Sequence, residues 1–199
     1  MNMPNRYKET KASGEFTPVT LGGHYLTIKQ VSERKSKNNA DMIVVLFDFD
    51  QADAQAGYFT KQFADDIRPD KKWPNQATKY ILVNDSSTGD TSKSFKTFCT
   101  CVERSNTGFE VKWGDNWGAQ FKGKKVGGVF GEELDFYNGK ETKKHVLRWF
   151  VSCDHVADAS VPNVSETKAY KDNKAVNAAI DSGDFMSIPE SELEELPFA

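Results

Sequence analysis

Two groups of basic side chains, each with aromatic residues to accompany it, have the residue types best suited to binding chemistry. The basic residues are Arg34, Lys35, Lys37, Lys140, Lys143 and Lys144. The rings expected nearest to them are Tyr58, Trp73 and Tyr137. Proteins bind single-stranded nucleic acid with cations that follow the phosphates and with flat rings that stack on the bases. The two groups together predict an interface for a single strand.

The alternative interpretation is that these residues have no ligand. Lysines in loops are usually solvated, and large rings usually belong to the core. On that interpretation Trp113, Trp117 and Trp149 are core residues. Binding is favoured because both basic groups are predicted at one edge of a barrel, where two loops flank a shared groove.

The C-terminal residues form a second candidate site, for a protein partner. Residues 161–199 carry three basic and eight acidic side chains, whereas residues 1–160 carry 23 and 21. Acidic tails of this kind are often interaction segments. The candidate contact residues are Glu192, Glu194, Glu195, Leu196, Pro197 and Phe198. We expect the acids to meet a basic rim on the partner and Phe198 to fill an apolar pocket.

Metal binding and catalysis find little support in the residue spacing. The thiol and imidazole groups are those of Cys99, Cys101, Cys153, His145 and His155. No two of the cysteines have the Cys-x₂₋₄-Cys spacing of zinc sites, so small core residues are the better explanation of the cysteines. The acids suited to Mg²⁺ in a nuclease are Asp48, Asp50, Asp65, Asp66 and Asp70. No catalytic motif accompanies them, and we expect solvated acids, no catalytic residue, no metal and no cofactor.

The elements that would position these residues are mostly strands. Apolar patterning predicts strands at 24–31, 42–49, 57–63, 109–113, 124–136 and 143–152. The 42–49 strand is expected to turn one face to solvent where Phe alternates with Asp. Glycines inside 124–136 predict bulges or bends. Asn138 and Gly139 suit a type I′ hairpin turn, whereas 79–83 is too short to assign.

One helix is predicted before the last hairpin. Ser92 can cap it, and Phe95, Phe98, Cys99 and Val102 give it an apolar stripe up to about Arg104. Strands, then a helix, then a long hairpin is the order of a five-stranded Greek-key OB barrel with its helix between strands 3 and 4. The fold class is therefore predicted as mainly β.

The chain is expected to have four parts. These are a flexible N-terminal arm at 1–20, the OB-like domain at 21–160, a linker with a short helix at 161–183, and a disordered acidic tail at 184–199. No apolar run approaches the ~20 residues of a membrane span, and the N-terminus lacks the apolar stretch of a secretory signal. Three cysteines suggest a reducing compartment. We therefore expect a cytoplasmic protein with no membrane partner.

Several short motifs resemble a family of phage proteins from replication and recombination modules. They are Gly22 to Tyr25, the Lys/Ser/Asn-rich loop, Gly57-Tyr58, Lys122 to Gly127 and Asn138 to Lys140. The resemblance covers roughly residues 20–155. That family is similar to phage single-strand-binding proteins, many of which end in an acidic segment closing on Pro-Phe. Here Ala199 follows Phe198, which departs from the usual terminal Phe carboxylate.

The resemblance and the residues lead to one expected function. It is binding and protection of single-stranded DNA in phage replication or recombination, with the tail recruiting partner enzymes. The sequence is also compatible with a homo-oligomer. The alternatives are a metal-dependent nuclease or other DNA-processing enzyme, and an adaptor that does not contact nucleic acid.

Overall fold

The computed structural model describes residues 3–4, 7–8 and 17–181, and of 178–181 only the backbone. The described chain divides into two units. The first contains the residues up to Gly131 together with His145–Pro162, and the second contains Glu132–Lys144 and the residues from Asn163 onward. Most of the predicted arm and all of the predicted tail at 184–199 lie outside the described residues.

Strands make up most of the regular structure, which confirms the predicted mainly β class. The strands are β1 Gly22–Lys35, β2 Asp41–Phe49, β3 Thr78–Leu82, β4 Lys125–Tyr137, β5 Lys140–Val151 and β6 Ser165–Glu166. The helices are α1 Tyr58–Asp65, α2 Lys93–Ser105 and α3 Lys168–Asp181. Short 3-10 helices lie at Asn75–Ala77, Trp117–Phe121 and Cys153–His155.

All six strands belong to one largely antiparallel sheet. Its order is β3-β2-β1-β4-β5, and β6 pairs parallel to β4. β1 is the central strand, because it pairs antiparallel with β2 along its C-terminal part and with β4 along its N-terminal part. The register between β1 and β2 shifts between Ile28 and Gln30, so β1 carries an irregularity there.

The sheet is not closed between its two end strands, so the predicted Greek-key OB barrel is not confirmed. Within the described residues no backbone ladder joins β3 to β5. Side chains bridge them instead: the Lys79 ammonium donates to the carbonyls of Leu147 at 2.9 Å and Arg148 at 3.2 Å. Gln76 likewise donates to the carbonyl of His145 at 3.1 Å. These carbonyls of β5 have side-chain donors in place of a neighbouring strand.

The segment predicted as a strand at 57–63 is the helix α1, and this prediction was wrong. Gly57 precedes it with a positive φ of 68°. The Asp48 carboxylate of β2 then accepts the backbone N–H of Phe59 at 2.9 Å and of Thr60 at 3.1 Å. These two N–H groups are orphan donors of the first helical turn. A residue ten positions upstream therefore supplies the helix cap, and the third strand of the sheet is β3.

β4 pairs with β1 in regular register from Lys125 to Phe130, so this pairing has no bulge at Gly127 or Gly128. These glycines are needed for close packing. A Cβ on Gly128 would lie 2.5 Å from the Leu26 side chain, and one on Gly127 would lie 2.6 Å from Val156. Residues 109–113 were predicted as a strand and belong to neither strand nor helix.

Local signals in the sequence identified three elements correctly. The hydroxyl of Ser92 accepts the Phe95 N–H at the start of α2. Asn138 and Gly139 take φ values of 51° and 76°, as a type I′ turn requires. The short helix predicted after residue 161 is α3. Among the described residues no helix combines the length and apolar character needed to cross a membrane.

Candidate nucleic-acid interface

The C-terminal part of β1 is covered by the 3-10 helix Trp117–Phe121 of the same unit. Gly118 makes this possible, because a Cβ there would lie 2.3 Å from the Val31 carbonyl oxygen. The following turn is joined to β1 by two backbone bonds, from Ile28 N to Lys124 O at 2.9 Å and from Gly123 N to Ile28 O at 2.8 Å. Residues 29–42 and residues 112–125 therefore form one surface.

This surface, called the basic surface below, is rich in cations. Residues 29–42 and 112–125 contain eight basic and three acidic residues, in a chain whose net charge is −3. Three of the cations lie near carboxylates: Lys29, Lys35 and Lys125. The other five form no ion pair among the described residues; they are Arg34, Lys37, Lys112, Lys122 and Lys124. Their charge is available to a polyanion.

An open groove of about 580 Å³ runs between the two segments. Lys29 and Lys122 contribute to its lining from opposite segments. The remaining lining mixes the polar residues Ser32, Asn116 and Gln30 and the acid Glu33 with small and apolar residues. A groove with cations on both segments suits a phosphate backbone better than it suits an apolar ligand.

Two tryptophans stack next to this groove. The rings of Trp113 and Trp117 lie 5.8 Å apart between centroids, with their planes 14° apart. Trp117 is buried, with 6% of its surface exposed, whereas Trp113 is 70% exposed. The alternative interpretation, in which all three tryptophans are core residues, holds for Trp117 and fails for Trp113. It fails for Trp149 as well, which is 46% exposed.

The position of Trp113 is determined by its neighbours in the chain. Gly114 and Asn116 take positive φ values of 140° and 55°, which turn the chain between the two indoles. The Gln120 amide accepts the Lys112 N–H and donates to the Lys112 carbonyl, both at 2.8 Å. The backbone immediately before Trp113 is therefore fixed, and the ring is held at the surface.

A second, smaller groove of about 280 Å³ adjoins the tryptophans and is called the Trp113 groove below. It is lined by Glu33, Arg34, Asp41, Met42, Ile43, Val83, Phe95, Trp113, Gly114 and Trp117. The guanidinium side chain of Arg34 and the ring of Trp113 thus border one concavity. Arg34 was predicted from the sequence as a site residue, whereas Trp113 was not, because a large ring is more often buried than exposed.

The first predicted basic group belongs to the basic surface. Arg34 and Lys35 are residues of β1 and not of the loop in which they were predicted. Lys37 lies in the turn that follows, where Ser36 N donates to Ala40 O at 2.8 Å. Lys35 pairs with Asp41 of β2 at 2.6 Å, and both side chains are 56% exposed. An exposed pair of this kind contributes little to stability, so Lys35 can exchange its partner for a phosphate.

Two of the three predicted stacking rings have structural partners. The Tyr58 hydroxyl donates to the Thr17 carbonyl at 2.9 Å, and its ring packs against Phe59 at 5.0 Å. Burial raises the pKa of Tyr58. The Trp73 N–H donates to the carbonyls of Phe47 at 3.3 Å and Ala77 at 3.2 Å. These contacts occupy the polar end of each side chain.

The second predicted basic group belongs to the second unit. Tyr137 is 65% exposed at the end of β4. Lys140 begins β5, Lys143 pairs with Glu132 at 3.4 Å, and Lys144 pairs with Asp135. Residues 132–144 carry four acids and three lysines, so this hairpin is close to neutral. A role in binding stays a prediction for these four residues.

The acids of β2 and of the turn that follows are buried, so the expectation of solvated acids was wrong for them. Asp48 is 1% exposed and Asp50 is 6% exposed. Burial alone would raise the pKa of Asp50, but bonds from Thr27, the Ala52 N–H and Lys125 hold it below its usual value. Burial alone would also raise the pKa of Asp53. Hydrogen bonds from the His24 ring and from the N–H groups of Gln55 and Tyr25 lower this pKa by more than burial raises it. These carboxylates serve as internal acceptors.

Two of the three cysteines are core residues, whereas Cys153 is only half-buried. Cys99 and Cys101 are buried in the core, as predicted, and desolvation raises the pKa of each thiol to about 11. Such thiols are protonated and unreactive at neutral pH. Among the described residues no group of three or more His, Cys, Asp or Glu side chains is placed to hold a metal ion.

The predicted tail contacts, Glu192, Glu194, Glu195, Leu196, Pro197 and Phe198, lie outside the described residues. Comparison with known proteins found no family model and no curated protein that matches the chain.

Proposed function

We propose that the protein binds single-stranded DNA through the basic surface of its first unit. The observation that carries the proposal is a set of five cations that form no ion pair among the described residues, on a surface that also contains an exposed, stacked indole, in a chain of net negative charge. Cations attract the phosphates of any nucleic acid, whereas an exposed ring gains only from bases that are not already paired and stacked. The combination favours single strands over duplex.

The strand order supports an OB-type fold for this unit. In an OB barrel β1 pairs with both β2 and β4, and the helix lies between the third and fourth strands of the chain. The pairing of β1 and the place of α2 agree with that scheme. We propose that the unit is an OB barrel left open between β3 and β5. The turn after β1 is then one of the loops that flank the binding groove in such barrels.

The resemblance to phage proteins extends the proposal to a biological role. The protein would coat and protect single strands during phage replication or recombination. Its acidic tail would recruit partner enzymes through Glu192, Glu194, Glu195, Leu196, Pro197 and Phe198. The hairpin residues Tyr137, Lys140, Lys143 and Lys144 of the second unit are proposed as further contacts for single-stranded DNA.

Replacing Arg34, Lys35 and Lys37 together with alanine is expected to weaken binding of a dT oligonucleotide by about tenfold or more at low salt. For single strands the log–log salt slope is about −0.7 per neutralised phosphate, so ~4 contacts give a wild-type slope near −3. Removing three cations should bring the slope close to −1. Fluorescence anisotropy at several salt concentrations measures both quantities, and the thermal melt should stay nearly unchanged because the side chains are exposed.

The matched control removes three lysines elsewhere in the same unit. The three lysines are exposed and lie in α1 or after it: Lys61, Lys71 and Lys72. The carboxylate that caps α1 is at the C-terminal end of β2, whereas the turn after β1 leads into the N-terminal end of β2. Their triple alanine variant should bind nearly as the wild type does. Equal losses in both variants would mean that only net charge matters. A wild type that binds no oligonucleotide at low salt, or prefers duplex, would refute the proposal and favour the adaptor alternative.

Deleting residues 184–199 is expected to tighten binding to single strands modestly, more at low salt than at high salt. The deleted segment carries five acids and no base, and its attraction to basic side chains is screened beyond about 10 Å at 0.1 M salt. The thermal melt should be unchanged. The comparison variant Phe198→Ala keeps every charge and should leave the affinity for DNA unaltered. Loss of DNA affinity in the deletion variant would show that the tail belongs to the binding domain.

A further inference from the structure

We infer that Trp113 is a stacking platform for one base of a bound strand, and that Arg34 holds the neighbouring phosphate. The inference rests on the proposed function, because it assigns a nucleotide position within the same basic surface. Its starting point is the geometry of the indole. One face of Trp113 packs on Trp117, while 70% of the side chain is exposed.

The core beneath Trp113 is itself a series of rings. Trp117 contacts Phe121 at 4.6 Å and Phe95 at 5.5 Å between ring centroids, and Phe95 and Phe121 are buried. The N–H of Trp117 has no hydrogen-bond acceptor among the described residues, so that ring is held by packing. A base placed on Trp113 would extend this series by one ring. Exposed flat rings offer such stacking to every base, because each base has a π face.

The exposed position of Trp113 is not explained by a need of the fold. Burying a large ring stabilises a protein relative to exposing it, and this ring forgoes most of that gain. The backbone nevertheless holds it firmly, through the paired bonds between Gln120 and Lys112 at 2.8 Å. A rigid, exposed ring has little conformational entropy to lose when a ligand stacks on it.

The occupant is identified by the charges around the ring. Arg34 shares the Trp113 groove, and its guanidinium group is suited to bind a phosphate through two hydrogen bonds. Asp41 of the same groove is paired with Lys35, which leaves Glu33 as the acid of this groove that has no ion pair among the described residues. Lys37 and Lys112 add positive charge nearby in the chain. An aromatic ring beside phosphate-binding cations fits a nucleotide unit better than an apolar peptide, which would need no cations.

The test compares two ligands of equal length on the full-length protein, a dT 12-mer and an abasic deoxyribose-phosphate 12-mer. Trp113→Ala should weaken binding of the dT strand roughly 5- to 150-fold, which corresponds to the about 1–3 kcal/mol of one stacked base. Binding of the abasic strand should be the same for both proteins, because it offers phosphates without bases. Trp113→Phe keeps a ring and should retain most of the affinity. The change removes an exposed side chain, so the thermal melt should stay close to that of the wild type.

Trp149→Ala is the matched control, since Trp149 is also an exposed indole of the first unit and lies in β5. This variant should bind dT as the wild type does. We expect the stacked base to quench the fluorescence of Trp113, and this quenching should be preserved in Trp149→Ala. Unchanged dT affinity in Trp113→Ala, with loss in the Arg34, Lys35 and Lys37 variant, would overturn the stacking site and leave the proposed function intact. Absence of binding by the wild type to either strand would overturn both.

Discussion

Asp48→Ala is expected to destabilise the protein by about 3 kcal/mol, a large part of the about 5–15 kcal/mol that stabilises a typical domain. Asp48 is 1% exposed and caps α1 from a neighbouring strand, by accepting the N–H groups of Phe59 and Thr60. Alanine leaves the Phe59 N–H buried without a partner, and it removes the interaction of the carboxylate with Lys29 at 3.9 Å. Urea unfolding followed by circular dichroism measures the loss.

Two further variants separate the cap from a general effect of charge. Asp48→Asn has nearly the same shape and keeps one acceptor oxygen, so its loss should be clearly smaller than that of Asp48→Ala. Asp70→Ala removes an exposed acid of the same unit and should change stability by no more than about 0.5 kcal/mol. Wild-type stability of Asp48→Ala would mean that the helix does not depend on this carboxylate.

Gly118→Ala is expected to destabilise the first unit by about 2–3 kcal/mol, although alanine is ordinarily the better helix residue. The added Cβ would lie 2.3 Å from the Val31 carbonyl oxygen, and a backbone atom of a central strand cannot move aside as a flexible side chain can. The 3-10 helix would have to shift away from β1 and carry Trp117 with it. Denaturant unfolding reports the loss of stability, and near-ultraviolet circular dichroism reports the change in the tryptophan stack.

The matched control is Ala119→Ser, which adds one atom to the adjacent, exposed residue. This variant should have nearly wild-type stability and an unchanged tryptophan spectrum. A Gly118→Ala protein as stable as the wild type would show that the 3-10 helix can move away from β1 without cost. The basic surface would then not depend on the close approach of its two segments.

The features that the sequence predicted correctly depend on contacts between residues close in the chain. Ser92 caps α2 through an N–H three residues ahead, and Asn138 with Gly139 forms a turn from its own backbone preferences. The apolar stripe of α2 repeats within one helix, and Phe95, Phe98, Cys99 and Val102 are all buried. Because each of these features is local, composition and spacing contain the information needed to predict it.

The features that were predicted wrongly depend on residues far apart in the chain. Alternation at 57–63 indicated a strand, but a carboxylate ten residues away caps a helix there, which no local pattern records. The sequence also predicted that the Asp48 carboxylate is solvated. Its role as an acceptor could not be predicted, because that role exists only once α1 packs on β2. Side chains of Gln76 and Lys79, bound to carbonyls of β5, take the place of a ladder that would close the sheet.

The candidate site likewise contains residues that the sequence identifies and one that only the tertiary structure reveals. Arg34, Lys35 and Lys37 could be identified from the sequence, since charge is a property of each residue and three cations within four positions are conspicuous. Trp113 could not, because its exposure depends on how residues 112–120 are held against β1 and on which face Trp117 covers. Charge is determined by residue type alone, whereas exposure of a ring is decided by what the rest of the fold leaves uncovered.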